Sequence, residues 1–234
     1  MLRKGLFILV LLFLLTGYVT AFDYDECVGW TDCKVVDSDK DFFTTARSDT
    51  TNWDLAIWDA AGAAPDVLKI QGEYAWTNCG NPVPFTVSYD PAYGEVVNTV
   101  DTSSISWNYA SGKAFEYLVI FGKGNSGPNN VYLTGLTVNG NAVPGVSTSN
   151  DYRGVVVTLT DAEQVNGFTV NGNAQLCYQS SHLQENPAFH VMAMKTHDPI
   201  VPPPVPEFPT MALPVALIVG LLGVVLFIRR TKEN

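Results

Sequence analysis

The sequence is poor in basic residues, with 13 lysines and arginines against 23 aspartates and glutamates in 234 residues, and its formal net charge is −10. The imbalance is larger within residues 22–206, where 8 basic residues stand against 21 acidic ones. A surface of this sign repels the phosphate backbone of nucleic acids. We therefore expect no nucleic-acid partner.

The chain also lacks the common catalytic and metal-binding motifs. It contains no G-x-S-x-G, and its three histidines, His182, His190 and His197, form no H-E-x-x-H pair. A formal G-x-G-x-x-G at residues 122–127 precedes a strand pattern instead of the helix that would hold a pyrophosphate. We expect a protein that is not an enzyme and has no cofactor, and we expect His190 to be structural, on one strand face with Met192 and Met194.

The N-terminus has the pattern of an export signal. Arg3 and Lys4 precede an apolar run at residues 5–15, and Val19-Thr20-Ala21 offers small or apolar residues for cleavage. The pattern predicts a signal peptide over residues 1–21. The alternative is an uncleaved N-terminal span.

The C-terminal tail contains an uncharged run at residues 211–228. As a helix, the run would be about 27 Å long, close to the thickness of the hydrocarbon core of a bilayer. Three basic residues follow, Arg229, Arg230 and Lys232. By the positive-inside rule they act as a membrane stop on the cytoplasmic side, so the bulk of the chain is expected outside the cell.

The tail also carries a short motif, Pro206, Glu207 and Phe208, just ahead of the apolar run. Together with Arg229-Arg230, this arrangement resembles the PEF-CTERM sorting signal of archaeal cell-surface proteins. The resemblance covers the last 29 residues and implies a partner, an archaeosortase, which removes the tail and transfers the new C-terminus to a lipid anchor. The alternative is a single-span anchor that stays in place.

The patterns at the two termini divide the chain into four predicted segments. They are a signal peptide at residues 1–21, an extracellular domain at 22–197, a proline-rich stalk with the sorting motif at 198–209, and a transmembrane segment with a basic cytoplasmic tail at 210–234. The stalk is expected to be an extended polyproline segment.

The four cysteines form an even set in an extracellular setting, where thiols pair. Three pairings are open, and loop economy favours Cys27 with Cys33 and Cys79 with Cys177. The spacings match no zinc pattern, so we expect no metal at these residues.

Short β-prone runs separated by turn residues fill the domain. The candidate strands are residues 55–58, 67–71, 85–89, 95–100, 104–109, 116–121, 131–138, 154–159, 168–170, 175–179 and 189–194. They predict an all-β fold, an antiparallel β-sandwich of jelly-roll type. Within the strand at 116–121, residues 117–121 are apolar throughout and predict a central strand that is buried on both faces. Residues 161–164 could form one helical turn. The repeated Asn-Gly pairs, Asn139-Gly140 and Asn171-Gly172, predict two similar hairpins.

Two further groups are candidates for binding. Asp37, Asp39 and Asp41 place carboxylates at alternate positions, as calcium loops do, but the Gly and Glu of an EF-hand are missing, and a solvated acidic turn is the alternative. The five tryptophans could stack on sugar rings or fill the core between the sheets. They are Trp30, Trp53, Trp58, Trp76 and Trp107.

These observations predict a membrane-anchored surface protein with a structural or adhesive role. Its expected partners are the membrane, a sorting transpeptidase, and surface glycans or other envelope proteins. A carbohydrate-binding module is the first alternative function, and a secreted glycoside hydrolase that uses a carboxylate pair is the second.

Overall fold

A computed structural model of the chain describes residues 23–32, 39–48, 54–61, 65–124, 129–148, 152–178 and 187–197. These residues form two antiparallel sheets with seven strands each. The chain divides into two units, residues 1–199 and 200–234, and the described residues all lie in the first.

The first sheet takes strands from both ends of the domain. In spatial order its strands are β1 (Tyr24–Val28), β12 (Tyr152–Thr158), β8 (Ala114–Lys123), β14 (Ala188–His197), β2 (Lys40–Arg47), β3 (Leu55–Asp59) and β4 (Val67–Gly72). The last strand of the domain, β14, therefore pairs with both β8 and β2.

The second sheet is built mainly from the middle of the sequence. Its order is β10 (Asn141–Ala142), β9 (Asn130–Val138), β13 (Phe168–Cys177), β5 (Val83–Asp90), β6 (Glu95–Val100) and β7 (Ser103–Asn108), and β11 (Val146–Ser147) also pairs with β9. The predicted all-β class is confirmed, with two antiparallel sheets, whereas the jelly-roll type stays a prediction.

Strand β8 confirms the expectation of a strand that is buried on both faces. Its alternate residues Leu118 and Ile120 belong to the large hydrophobic cluster that includes residues of both sheets. Val119 and Phe121 belong to a second cluster with Met192 and Met194. Successive side chains of a strand point to opposite faces, which explains why every position from 118 to 121 is apolar and buried.

Two helices lie between strands in the part of the chain that the structure describes. One spans Gly29–Asp32 and the other spans Asp161–Asn166. The second confirms the helical turn predicted at residues 161–164. It begins with a capping box in which the Thr160 hydroxyl accepts from the Glu163 backbone N–H and the Glu163 carboxylate accepts from the Thr160 backbone N–H.

The prediction of two Asn-Gly hairpins is right for the first copy and wrong for the second. Asn139 and Gly140 both have positive φ, 51° and 81°, and they join β9 to β10 as a type I′ turn does. Asn171 and Gly172 lie inside β13, which continues without a turn through the strand predicted at 168–170 and into the one predicted at 175–179, where it ends at Cys177.

Tertiary packing decides the conformation of the second copy. A Cβ atom at Gly172 would lie 2.6 Å from Leu136 Cδ2 and 2.8 Å from Phe85 Cε1. This glycine is therefore needed for the close approach of core side chains to the strand. The same dipeptide serves a turn in one place and a packing contact in the other.

Several predicted segments lie outside the described residues. They are the signal peptide at 1–21, the stalk at 198–209 and the tail at 210–234. Among the residues that the structure does describe, no helix has the length and apolar character needed to cross a membrane.

Candidate functional site

A cavity of about 430 Å³ lies where the connection from β4 to β5 meets the end of β13. Tyr74 and Trp76 provide its aromatic lining, and Asn81 and Gln175 provide side-chain amides. The other lining residues are Thr77, Cys79, Gly80, Val83, Ala174 and Leu176. None of these ten side chains carries a charge.

The aromatic side of the cavity is anchored in the core. The rings of Tyr74 and Trp76 meet edge to face, with centroids 4.9 Å apart. Trp76 is also perpendicular to Phe189 at 6.4 Å, and both lining aromatics are partly buried against the core cluster. The backbone N–H of Tyr74 donates to Asp54 Oδ2 at 3.1 Å. These contacts hold the two rings in a fixed orientation.

The opposite side is fastened to β13 by covalent and hydrogen bonds. Cys79 forms a disulfide with Cys177, with Cα atoms 4.4 Å apart. The Asn78 amide donates to the Tyr178 carbonyl at 2.6 Å, and the Tyr178 N–H donates back to Asn78 Oδ1 at 2.8 Å. The Gln175 amide donates to the Gly80 carbonyl at 2.6 Å. The connection is therefore stabilised independently of any ligand.

The electrostatics of the cavity favour a neutral phenol. Burial, and secondarily the negative charge of Asp101, raises the pKa of Tyr74 above its ordinary value. The Tyr74 hydroxyl consequently keeps its proton at neutral pH and can donate as well as accept a hydrogen bond.

A second cavity of about 350 Å³ lies near the end of the helix Asp161–Asn166. Asp90 is the single carboxylate among its lining residues. Its Oδ1 accepts the Ala92 N–H at 2.8 Å. Glycoside hydrolysis uses two carboxyl groups across the scissile bond, and the described lining of neither cavity brings two together.

The predicted disulfide between Cys79 and Cys177 is confirmed. Cys27 is disulfide-bonded as well, and it is buried at 3 % exposure in the second hydrophobic cluster. Its predicted partner, Cys33, lies outside the described residues.

The carboxylates suggested for calcium lie in different settings. Asp37 is outside the described residues, and Asp39 precedes β2 directly. Asp41 lies within β2, where it is 9 % exposed and its Oδ1 accepts from the Tyr109 hydroxyl at 3.2 Å. No group of three or more potential ligands occurs among the described histidine, cysteine, aspartate and glutamate residues.

His190 packs as the sequence predicts, on the strand face of Met192 and Met194 beside the second hydrophobic cluster. Its ring stacks on Phe121 with centroids 4.6 Å apart, and its Nδ1 lies 3.0 Å from Thr45 Oγ1. Nothing is described for His182 or for the side chain of His197.

The three tryptophans whose side chains are described are partly buried. Trp107 and Trp76 pack against the main core, and Trp58 stacks on Phe43 at 5.8 Å beside the second cluster. Only Trp76 of these three lines one of the two cavities. Trp53 and the side chain of Trp30 lie outside the described residues.

Sequence reasoning did not single out Tyr74 or the amides of Asn81 and Gln175. One signal was present in the sequence, the alternating aromatics of Tyr74-Ala75-Trp76 shortly before Cys79. This pattern indicates a cavity wall only when the partner of Cys79 is known, because the disulfide places β13 against this segment.

The sorting motif Pro206, Glu207 and Phe208 and the membrane stop Arg229, Arg230 and Lys232 lie outside the described residues. No curated protein matches the chain. Residues 205–230 match the family model of the PEF-CTERM archaeal protein sorting domain, as the predicted resemblance requires. The tail of this chain therefore carries a PEF-CTERM sorting signal, which indicates a membrane-anchored protein of the cell surface.

Proposed function

We propose that this chain is a non-enzymatic protein of an archaeal-type cell envelope, with a structural or adhesive role outside the cell. The observation that carries this proposal is the sorting-domain match at residues 205–230, which follows a disulfide-bonded all-β domain. The acidic composition, with a net charge of −10, suits a solvated exterior surface. Disulfides are typical of proteins that work in oxidising compartments.

The tail is proposed to be a removable signal. An archaeosortase would cut near Pro206, Glu207 and Phe208 and join the new C-terminus to a lipid, so that the mature protein keeps the stalk but loses the apolar run at 211–228. The alternative is that the tail is not cut and stays in the membrane as a single-span anchor. Both fates leave the domain on the outer side of the membrane.

The fate of the tail is tested by mass spectrometry of the C-terminal peptide. The full chain is produced in an archaeal host that encodes an archaeosortase and in the same host without that gene. We expect the peptide that ends at Asn234 to be absent from the mature protein of the first host and present in the second. Its presence in both hosts would contradict processing.

A variant with alanine at Pro206, Glu207 and Phe208 should keep the C-terminal peptide in the first host. The matched control replaces Pro202, Pro203 and Pro204 of the stalk with alanine and should be processed normally. Protease added to intact cells checks location, because a domain outside the cell is degraded while cytoplasmic proteins survive.

The role itself is tested by deleting the gene from its native cell. Loss of cell–cell or cell–surface attachment with an intact envelope supports adhesion, and increased osmotic lysis supports a structural role. Unchanged attachment and unchanged lysis would contradict both roles.

A further inference from the structure

We propose that the cavity beside the Cys79–Cys177 disulfide binds a neutral saccharide, with Tyr74 and Trp76 as its apolar wall and Asn81 and Gln175 as hydrogen-bonding groups. This inference deepens the adhesive role proposed above, because it names a ligand class for the domain. The inference rests on the proposed function only for the assumption that the domain lies outside the cell. The binding itself is argued from the described residues of the cavity.

The chemistry of the lining selects a neutral ligand. The protein has a net charge of −10, yet the ten residues around this cavity include no carboxylate and no cation. An anionic ligand would enter a partly enclosed site without a counter-charge and near the negative charge of Asp101, which is costly. Aromatic rings and amides match the C–H faces and hydroxyl groups of a sugar ring.

Hydrogen-bonding capacity is left over at the site. Gln175 uses its amide N–H on the Gly80 carbonyl, and its Oε1 has no partner among the described residues. The Asn81 side chain and the Tyr74 hydroxyl also make no hydrogen bond within the described part of the chain. Three groups can therefore satisfy hydroxyls of a bound ligand.

The site is also formed before a ligand arrives. The disulfide and the paired hydrogen bonds between Asn78 and Tyr178 fix the connection against β13. A site that is ordered in advance loses little conformational entropy on binding. The volume of about 430 Å³ lies within the range of small-molecule pockets.

The first test is a glycan array that carries neutral and acidic oligosaccharides. The full-length protein is used in lauryldimethylamine oxide, a detergent without a sugar headgroup. We expect binding to neutral glycans. Binding to none of the neutral glycans, or to acidic glycans alone, would overturn the proposal.

The second test locates the site by calorimetric titration with the tightest-binding neutral oligosaccharide of the array. Tyr74→Ala should weaken binding about tenfold, which equals about 1.4 kcal/mol. Asn81→Ala, which removes an exposed amide without a partner in the described structure, should weaken binding about three- to tenfold. Thermal unfolding of each variant separates lost binding from lost folding.

The control is Tyr93→Ala, which removes an aromatic that is 77 % exposed and outside the cavity lining. Its affinity should equal that of the unmodified protein. Full affinity in both cavity variants, or an equal loss in Tyr93→Ala, would place the binding elsewhere and overturn the proposal. These titrations use purified protein and do not depend on its location in the cell. Saccharide binding can therefore be confirmed even if the proposed role at the cell surface is contradicted, and the reverse also holds.

Discussion

His190 is a titratable side chain held among apolar neighbours. Burial, and then the positive charges of Lys123 and Arg47, lower the pKa of His190 to about 3. Its ring stacks on Phe121, and Thr45 Oγ1 is near its Nδ1. The neutral ring is therefore the form that the folded protein accepts at neutral pH.

This shift predicts an acid-sensitive contribution to stability. The folded pKa is depressed below the unfolded value of about 6.5, so between these values the unfolded chain binds a proton that the folded chain does not. The stabilisation is complete above pH about 6.5 and falls as the pH drops toward 3.

The expected result is a flatter pH profile for His190→Gln. Between pH 6.5 and 4, its free energy of unfolding should fall less than that of the unmodified protein, by about 1–3 kcal/mol. Urea unfolding at several pH values measures both curves. Parallel curves would contradict the assignment, because carboxylates elsewhere contribute equally to both proteins.

Gly140 and Gly172 offer a matched pair with different physical requirements. Gly140 needs a positive φ of 81° and has open space where a Cβ would lie. Gly172 faces Leu136 and Phe85 at less than 3 Å from that position. One substitution strains the backbone, and the other overfills the core.

Substitution by residues of increasing size separates the two effects. At Gly140, alanine and valine should each lower the free energy of unfolding by about 1–2 kcal/mol, because the cost comes from the positive φ. The loss should depend little on side-chain volume, since the space around this position is open. At Gly172, alanine should cost about 1–3 kcal/mol and valine clearly more, because each added carbon meets packed side chains. Chemical denaturation measures the four variants. Equal alanine and valine costs at Gly172 would contradict the packing argument.

The segment between β4 and β5 is the element that builds the cavity. Hydrogen bonds and one covalent bond tie it to β13, across a sequence separation of 98 residues between Cys79 and Cys177. The disulfide restricts the unfolded chain strongly, since the loop that it closes is long.

Replacing Cys79 and Cys177 together by serine should lower the free energy of unfolding by about 2–5 kcal/mol. Replacing Cys27 and Cys33 together should cost about 2 kcal/mol less than that, because the loop predicted for this pair is short. Urea unfolding of the two double variants measures the difference. A larger loss for the Cys27 and Cys33 variant would contradict the loop-length argument.

At the scale of single elements, the sequence predicts most strands correctly and misses strands whose hydrophobic pattern is weak. The predicted strand at 95–100 agrees with β6, Glu95–Val100. β1 is missed, since it is an edge strand with exposed acidic residues. β2 is missed because its buried residues include polar side chains such as Lys40, Asp41 and Thr44, so it shows neither alternation nor a continuous apolar run. A strand pattern is visible only where burial alternates or apolar residues continue.

At the scale of the whole molecule, the sorting signal and the cavity belong to different parts of the chain. The sorting signal lies in residues 205–230, and the cavity lies within the two-sheet domain. The signal can be recognised from sequence because it is a contiguous pattern of a short motif, an apolar run and basic residues. The cavity joins residues 74–83 to residues 174–176, so no contiguous pattern marks it.

The sequence by itself determined the charge, the sorting signal and the all-β class, since each depends on composition or local pattern. It left three cysteine pairings open and only favoured Cys79 with Cys177, and the structure decided that pairing. Tertiary structure alone decided that Asn171-Gly172 continues a strand and that Tyr74 and Trp76 line a cavity with Gln175. The physical reason is that packing joins residues about a hundred positions apart, and its energy exceeds the local preference of a dipeptide for a turn.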